Sequence, residues 1–189
     1  MSRENISILN MAKSFAAEYG TFLGAGWLVT FFLLIYGMNS LNAEIELAGF
    51  ILLLIQPLFA IYLAWRFKQH IATGHRATWG QATLFAAGMF GCACTLSSVV
   101  EYLFFRFIDK DRTVTTIVNM LKDPNIQMQA KAMGIRQDME TIMELYSAMT
   151  PLDITVMLMS ESIFIALILM LPTVYMAQRT STRRVTGRR

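Results

Sequence analysis

Apolar positions fall into four long runs, at residues 19–38, 47–65, 83–107 and 154–177, separated by connections of very different length and charge. About twenty apolar residues in a helix cross the hydrocarbon core of a bilayer, so each run predicts a transmembrane span. Residues 1–18 are polar with scattered apolar positions and predict a helix on the membrane surface that leads into span one. The connection 39–46 is short, and 108–153 is long and amphipathic. The chain closes on a tail, 178–189, that holds Arg179, Arg183, Arg184, Arg188 and Arg189. The expected fold class is all-α: a four-helix transmembrane bundle with an external amphipathic helical hairpin between spans three and four.

The hairpin follows from spacing. Asp111 is placed to cap a short helix whose apolar positions are Val114, Ile117, Val118 and Leu121. Asp123-Pro124 restarts the chain with proline in a first turn. A second stripe runs through Ile135, Met139, Ile142, Met143, Tyr146 and Met149, with a kink expected at Gly134. Thr150-Pro151-Leu152-Asp153 resembles a capping box that opens span four. Such a hairpin needs its apolar face covered by the bilayer interface, by the spans or by another copy of the chain.

Composition agrees with a membrane protein. Hydrophobic residues make up 55% and charged residues 15%, against about 25% charged in soluble domains. A net charge of +3 gives no reason to expect nucleic acid. Cys92 and Cys94 are one residue apart inside a span and form no disulfide framework. No cleavable signal peptide is expected, because the first apolar run is too long for an h-region and no small-residue cleavage site follows it. The N-terminus, the second connection and the tail carry 2, 3 and 5 basic residues, and the first connection none. The long segment carries five, diluted by seven acids. This bias predicts both termini on the cytoplasmic side of a bacterial inner membrane and the hairpin outside. Trp65 and Trp79 stand where interfacial aromatic anchors are expected.

Several features in order resemble the domain-of-unknown-function 4199 family of bacterial multi-pass membrane proteins. They are Lys13 with Tyr19-Gly20 opening span one, and Thr78-Trp79-Gly80-Gln81-Ala82 opening span three. The aromatic exit Tyr102-Leu103-Phe104-Phe105-Arg106-Phe107-Ile108-Asp109 follows, and then a methionine-rich helix ending at Thr150-Pro151. Members of that family usually carry proline after the exit aspartate, where this chain has Lys110. The resemblance implies no assigned activity. Its genes often neighbour a membrane glycosyltransferase gene, which implies an accessory role beside such an enzyme.

Glu101 and Glu161 are the first candidates for chemistry, because an ionisable residue inside a span is costly. Counting along helices puts Glu101 roughly 10 Å below the outer end of span three and Glu161 roughly 12 Å below that of span four. Gln56 and Thr30 fall near the same level. Ser97 and Ser98 lie one turn from Glu101, and Ser160 is beside Glu161. Two carboxyl groups in a low dielectric suit a proton- or cation-handling site. The alternative is that Arg106 or a hydroxyl pairs with one glutamate and the cluster joins helices. Gly20 and Gly24 form a small-xxx-small motif, echoed by Ala87 and Gly91, that suits either a homodimer seam or close packing within one bundle. Pro57 and Pro172 are expected to kink their helices.

His70 and His75 lack convergent partners for a metal. Met139 and Met143 admit a copper(I) reading, yet their spacing is that of an amphipathic helix. There is no P-loop, nucleophile elbow or zinc-protease motif, so no catalytic residue, metal site or cofactor is expected. Two functions remain. One is a non-enzymatic accessory or scaffolding subunit for a partner envelope membrane protein. The other is a small proton- or cation-linked transporter or channel using Glu101 and Glu161. Expected partners are membrane lipids and either that membrane protein or further copies of the chain.

Overall fold

The computed structural model describes residues 3–70, 77–134 and 136–178. His75, Arg76, Ile135 and the basic tail from Arg179 lie outside the described residues. Among the described residues every regular element is helical: α1 (Arg3–Ser40), α2 (Ala43–His70), α3 (Trp79–Leu103), a π-helical extension (Phe104–Asp109), α4 (Arg112–Leu121), α5 (Pro124–Ala132), α6 (Arg136–Ala148) and α7 (Pro151–Gln178). Four segments are long and apolar enough to cross a membrane: Asn10–Ser40, Ala43–His70, Trp79–Asp109 and Pro151–Gln178. The chain is an integral membrane protein by that composition.

The surface helix expected over 1–18 and span one are a single helix, α1. No glycine or proline interrupts residues 3–19. Ala12, Ala16, Tyr19 and Leu23 recur every three or four positions and are all buried. One continuous apolar stripe therefore carries the helix through residue 18. Asn42 opens α2 by accepting from the Glu44 N–H at 3.1 Å. Near this turn α1 and α2 touch backbone to backbone, since a Cβ on Gly37 would stand 2.6 Å from the Glu46 nitrogen. Thr78 and Gln81 close a reciprocal capping box at the start of α3, with Thr78 N–H to Gln81 Oε1 at 2.8 Å and Gln81 N–H to Thr78 Oγ1 at 3.3 Å.

The four long helices stand in a square. α1 adjoins α2 and α3, and α7 adjoins the same two. The register between α1 and α3 is parallel: Ala16 meets Gly88, Gly20 meets Met89 and Cys92, and Gly24 meets Ala93 and Leu96. Gly20 and Gly24 thus serve packing within the chain. At one end of the square Phe67 and Phe85 stack across the diagonal, their centroids 4.1 Å apart. At the other end Phe105, Val114 and Ile154 form a second buried cluster, flanked by Phe31 and Phe104.

The segment between α3 and α7 is three helices, not the two expected, because Gly134 takes φ +74° and ends the run. A residue in the left-handed region breaks the helix where a kink was expected. The capping also differs. Asp111 makes no side-chain cap. Asp109 does so instead, accepting from the Thr113 N–H at 3.0 Å and from Thr113 Oγ1 at 2.6 Å. Lys110 and Asp111 both adopt positive φ, 45° and 65°. This two-residue left-handed turn is one that proline at 110 could not make. Asn39 at the end of α1 ties α4 down, donating to Thr113 Oγ1 at 3.0 Å and accepting from Thr116 Oγ1 at 2.9 Å. Asp123 caps Asn125 ahead of Pro124. Thr150 and Asp153 bond reciprocally at the start of α7, with Thr150 N–H to Asp153 Oδ2 at 2.9 Å and Asp153 N–H to Thr150 Oγ1 at 3.3 Å.

Candidate functional site

The inward face of α3 is read off its burial. Met89, Phe90, Ala93, Cys94, Ser97 and Glu101 are all buried, so the stripe that builds the core also carries a hydroxyl and a carboxyl group. The inward face of α2 is Gln56, Ala60, Leu63, Ala64 and Phe67. On α7 the buried residues are Ile154 and Thr155, then none until Ala166. That gap of about three turns leaves room between the aromatic ends of the bundle.

A cavity of about 390 Å³ occupies the gap. Thr30, Gln56, Glu101, Glu161 and Ser162 supply its polar lining, and Trp27, Phe31, Leu158 and Leu169 are among its apolar walls. Thr30, Gln56 and Glu101 are buried, with Glu101 6% and Gln56 8% exposed. Leu53 and Ile165, which also line it, are exposed, as is Glu161. The cavity is therefore a cleft that opens between α2 and α7, with Glu101 deep inside and Glu161 at its rim.

The polar groups are only partly satisfied. Gln56 Nε2 donates to Thr30 Oγ1 at 3.1 Å, and Thr30 Oγ1 donates to the Gly26 carbonyl at 3.1 Å. Gly26 makes room for the amide, since a Cβ there would lie 3.2 Å from both Gln56 Nε2 and Oε1. Gln56 Oε1, Glu101 Oε2 and Ser97 Oγ are buried without a hydrogen-bond partner. Buried polar atoms without partners are rare in folded proteins and ask for an explanation. None of the residues lining the cleft is basic. Among the described residues no group of three or more His, Cys, Asp or Glu side chains could hold a metal ion.

Of the six residues singled out in the sequence, Glu101, Glu161 and Gln56 line the cleft. Ser97 lies one turn before Glu101 on α3, is 1% exposed and is not among the lining residues. Ser160 is exposed, and its hydroxyl donates to the Val156 carbonyl at 2.8 Å. Arg106 is exposed on the π-helical extension and is not among the lining residues. Ser162 takes the place expected of Ser160. The spacing Leu158, Ser162, Ile165, Leu169 is a three-four stripe that identifies this face of α7. Trp27 and Phe31 carry no signal of their own in an aromatic-rich span, but they sit one turn apart on the α1 face that carries Thr30.

A family model for proteins of unknown function, DUF4199, matches residues 18–179. The chain belongs to the DUF4199 family. No curated protein and no solved structure matches it. The matched stretch contains the last three spans whole, the first from residue 18 onward, the cleft and the α4–α6 segment.

Proposed function

We propose that this protein is a non-enzymatic accessory or scaffolding subunit that packs against a partner envelope membrane protein in a bacterial inner membrane. A membrane glycosyltransferase is the partner class the family's gene neighbourhoods favour. One observation carries the reading: large apolar side chains stay exposed on α5 and α6 although these helices pack against each other and against α4. Met128 and Met133 are 71% and 70% exposed, and Leu145 is 57% exposed, in a segment that lies outside the four spans. Asn39 and Asp109 hold α4 to the bundle, so the segment is anchored to the spans at its first helix. The Lys/Arg bias supports an orientation with both termini cytoplasmic and the α4–α6 segment outside.

A photo-crosslinking residue at Leu145 tests the reading, combined with affinity purification in a mild detergent. The expected result is one specific adduct with a second membrane protein that also copurifies. Recovery of this chain alone at several expression levels, with only lipid adducts, overturns it.

A second reading is favoured by the cleft itself: a small proton- or cation-linked transporter or channel using Glu101 and Glu161, which line one cavity. Flux into liposomes should then fall in Glu101→Gln and Glu161→Gln. Flux that neither substitution alters removes this site from the reading.

A further inference from the structure

We infer that the cleft between α2 and α7 binds a hydrophobic organic ammonium ion drawn from the bilayer. Its N–H groups would meet Glu101, Glu161 and the Gln56 carbonyl, and its apolar body would lie against Trp27 and Phe31. The unpartnered atoms determine the chemistry. Gln56 Oε1 and Glu101 Oε2 are both acceptors, each on a side chain more than nine-tenths buried. Gln56 Nε2 is already engaged by Thr30, which leaves its carbonyl as the end in need of a donor. A ligand that supplies several N–H donors and a positive charge satisfies both acceptors and offsets the buried Glu101 carboxyl group, which no lining residue does.

The walls determine the rest of the ligand. Most of the lining is apolar, and its volume of about 390 Å³ falls in the range of small-molecule sites. Trp27 and Phe31 add aromatic rings to the lining, and aromatic rings attract cations. The exposed rim at Leu53 and Ile165 opens toward lipid, the route by which an amphiphilic amine would enter. The lining holds two carboxyl groups, and among the described residues no cluster of three or more His, Cys, Asp or Glu side chains is placed to hold a metal ion. No basic residue of the described spans lies at the depth of Glu161: Lys13, Arg66, Lys68 and Arg106 all lie within about one turn of a span's end. A second copy therefore does not supply the cation.

This inference deepens the transport reading by naming its substrate class. Equilibrium binding without a gradient separates its failure from a failure of flux. The test uses the full chain in zwitterionic nanodiscs, with Trp65→Phe and Trp79→Phe so that Trp27 is the reporter. The probes are octylammonium, octyltrimethylammonium and octanol, which share a tail and differ in N–H donors and charge. The expected result is a saturable change in Trp27 emission with octylammonium, with affinity at least about tenfold above that of the other two. Glu101→Gln should weaken it by a similar factor. Equal responses to all three probes overturn the inference, as does a linear response that reports partition into lipid alone. The comparison of headgroups is made on the native site, so it holds even if Glu101→Gln does not fold.

Discussion

Gly20→Ala is the sharpest test of how the bundle is held together. The added methyl carbon would stand 2.6 Å from the Met89 carbonyl oxygen and 2.6 Å from Cys92 Cβ. Carbon atoms pack at about 3.5–4.0 Å, so α1 and α3 must separate locally by about 1 Å. One obstacle is backbone, which cannot rotate away. The neighbouring contacts at Ala16–Gly88 and Gly24–Ala93 are close as well, and would have to open with it. Overpacking of this kind costs about 1–3 kcal/mol. Gly91→Ala is the internal control, because nothing lies within 4 Å of its added carbon; it should be neutral or stabilise by up to about 1 kcal/mol. Reversible unfolding in mixed micelles, followed by tryptophan fluorescence at protein concentrations low enough for monomers, measures both. A homodimer seam would leave the dilute monomer unaffected by Gly20→Ala. Equal effects of the two substitutions, or none at Gly20, would refute in-chain packing as the role of these glycines.

Asp109→Ala removes the carboxylate that accepts twice from Thr113 and should cost about 1.5–3 kcal/mol, with hydrogen exchange accelerated in α4 before the spans; uniform acceleration across all helices would contradict a local tie. Lys110→Gly relieves a positive φ and should stabilise by about 1 kcal/mol, whereas Lys110→Pro should disrupt the turn. Thermal melts in detergent distinguish the two, and a neutral proline would show that the turn has another conformation. Ser97→Ala deletes a buried hydroxyl with no partner and should hold or raise stability by up to about 1 kcal/mol. A clear loss would mean that the hydroxyl is bonded in the membrane.

Much of this protein is legible in its sequence because a bilayer imposes a one-dimensional constraint. Apolar runs of sufficient length become spans wherever they occur, and the turn chemistry of Asp123-Pro124 and Thr150-Asp153 acts over three or four residues. Counting residues also brought Glu101, Glu161, Gln56 and Thr30 to about one depth, and these four line one cleft. Depth is not direction, however. Ser160 and Ser162 differ in depth by only about 3 Å but face different surroundings, and only the rotation of α7 against α2 and α3 chose Ser162. Tertiary packing likewise gave the cap of α4 to Asp109, because the π-helical extension and the left-handed turn at Lys110 bring its carboxylate onto Thr113. It also left the cleft open, because α7 buries nothing between Thr155 and Ala166. Local sequence determines which segments are helices and roughly how deep each residue sits. Which side chains share a cavity depends on helix rotation and pairing, set by contacts between residues far apart in the chain.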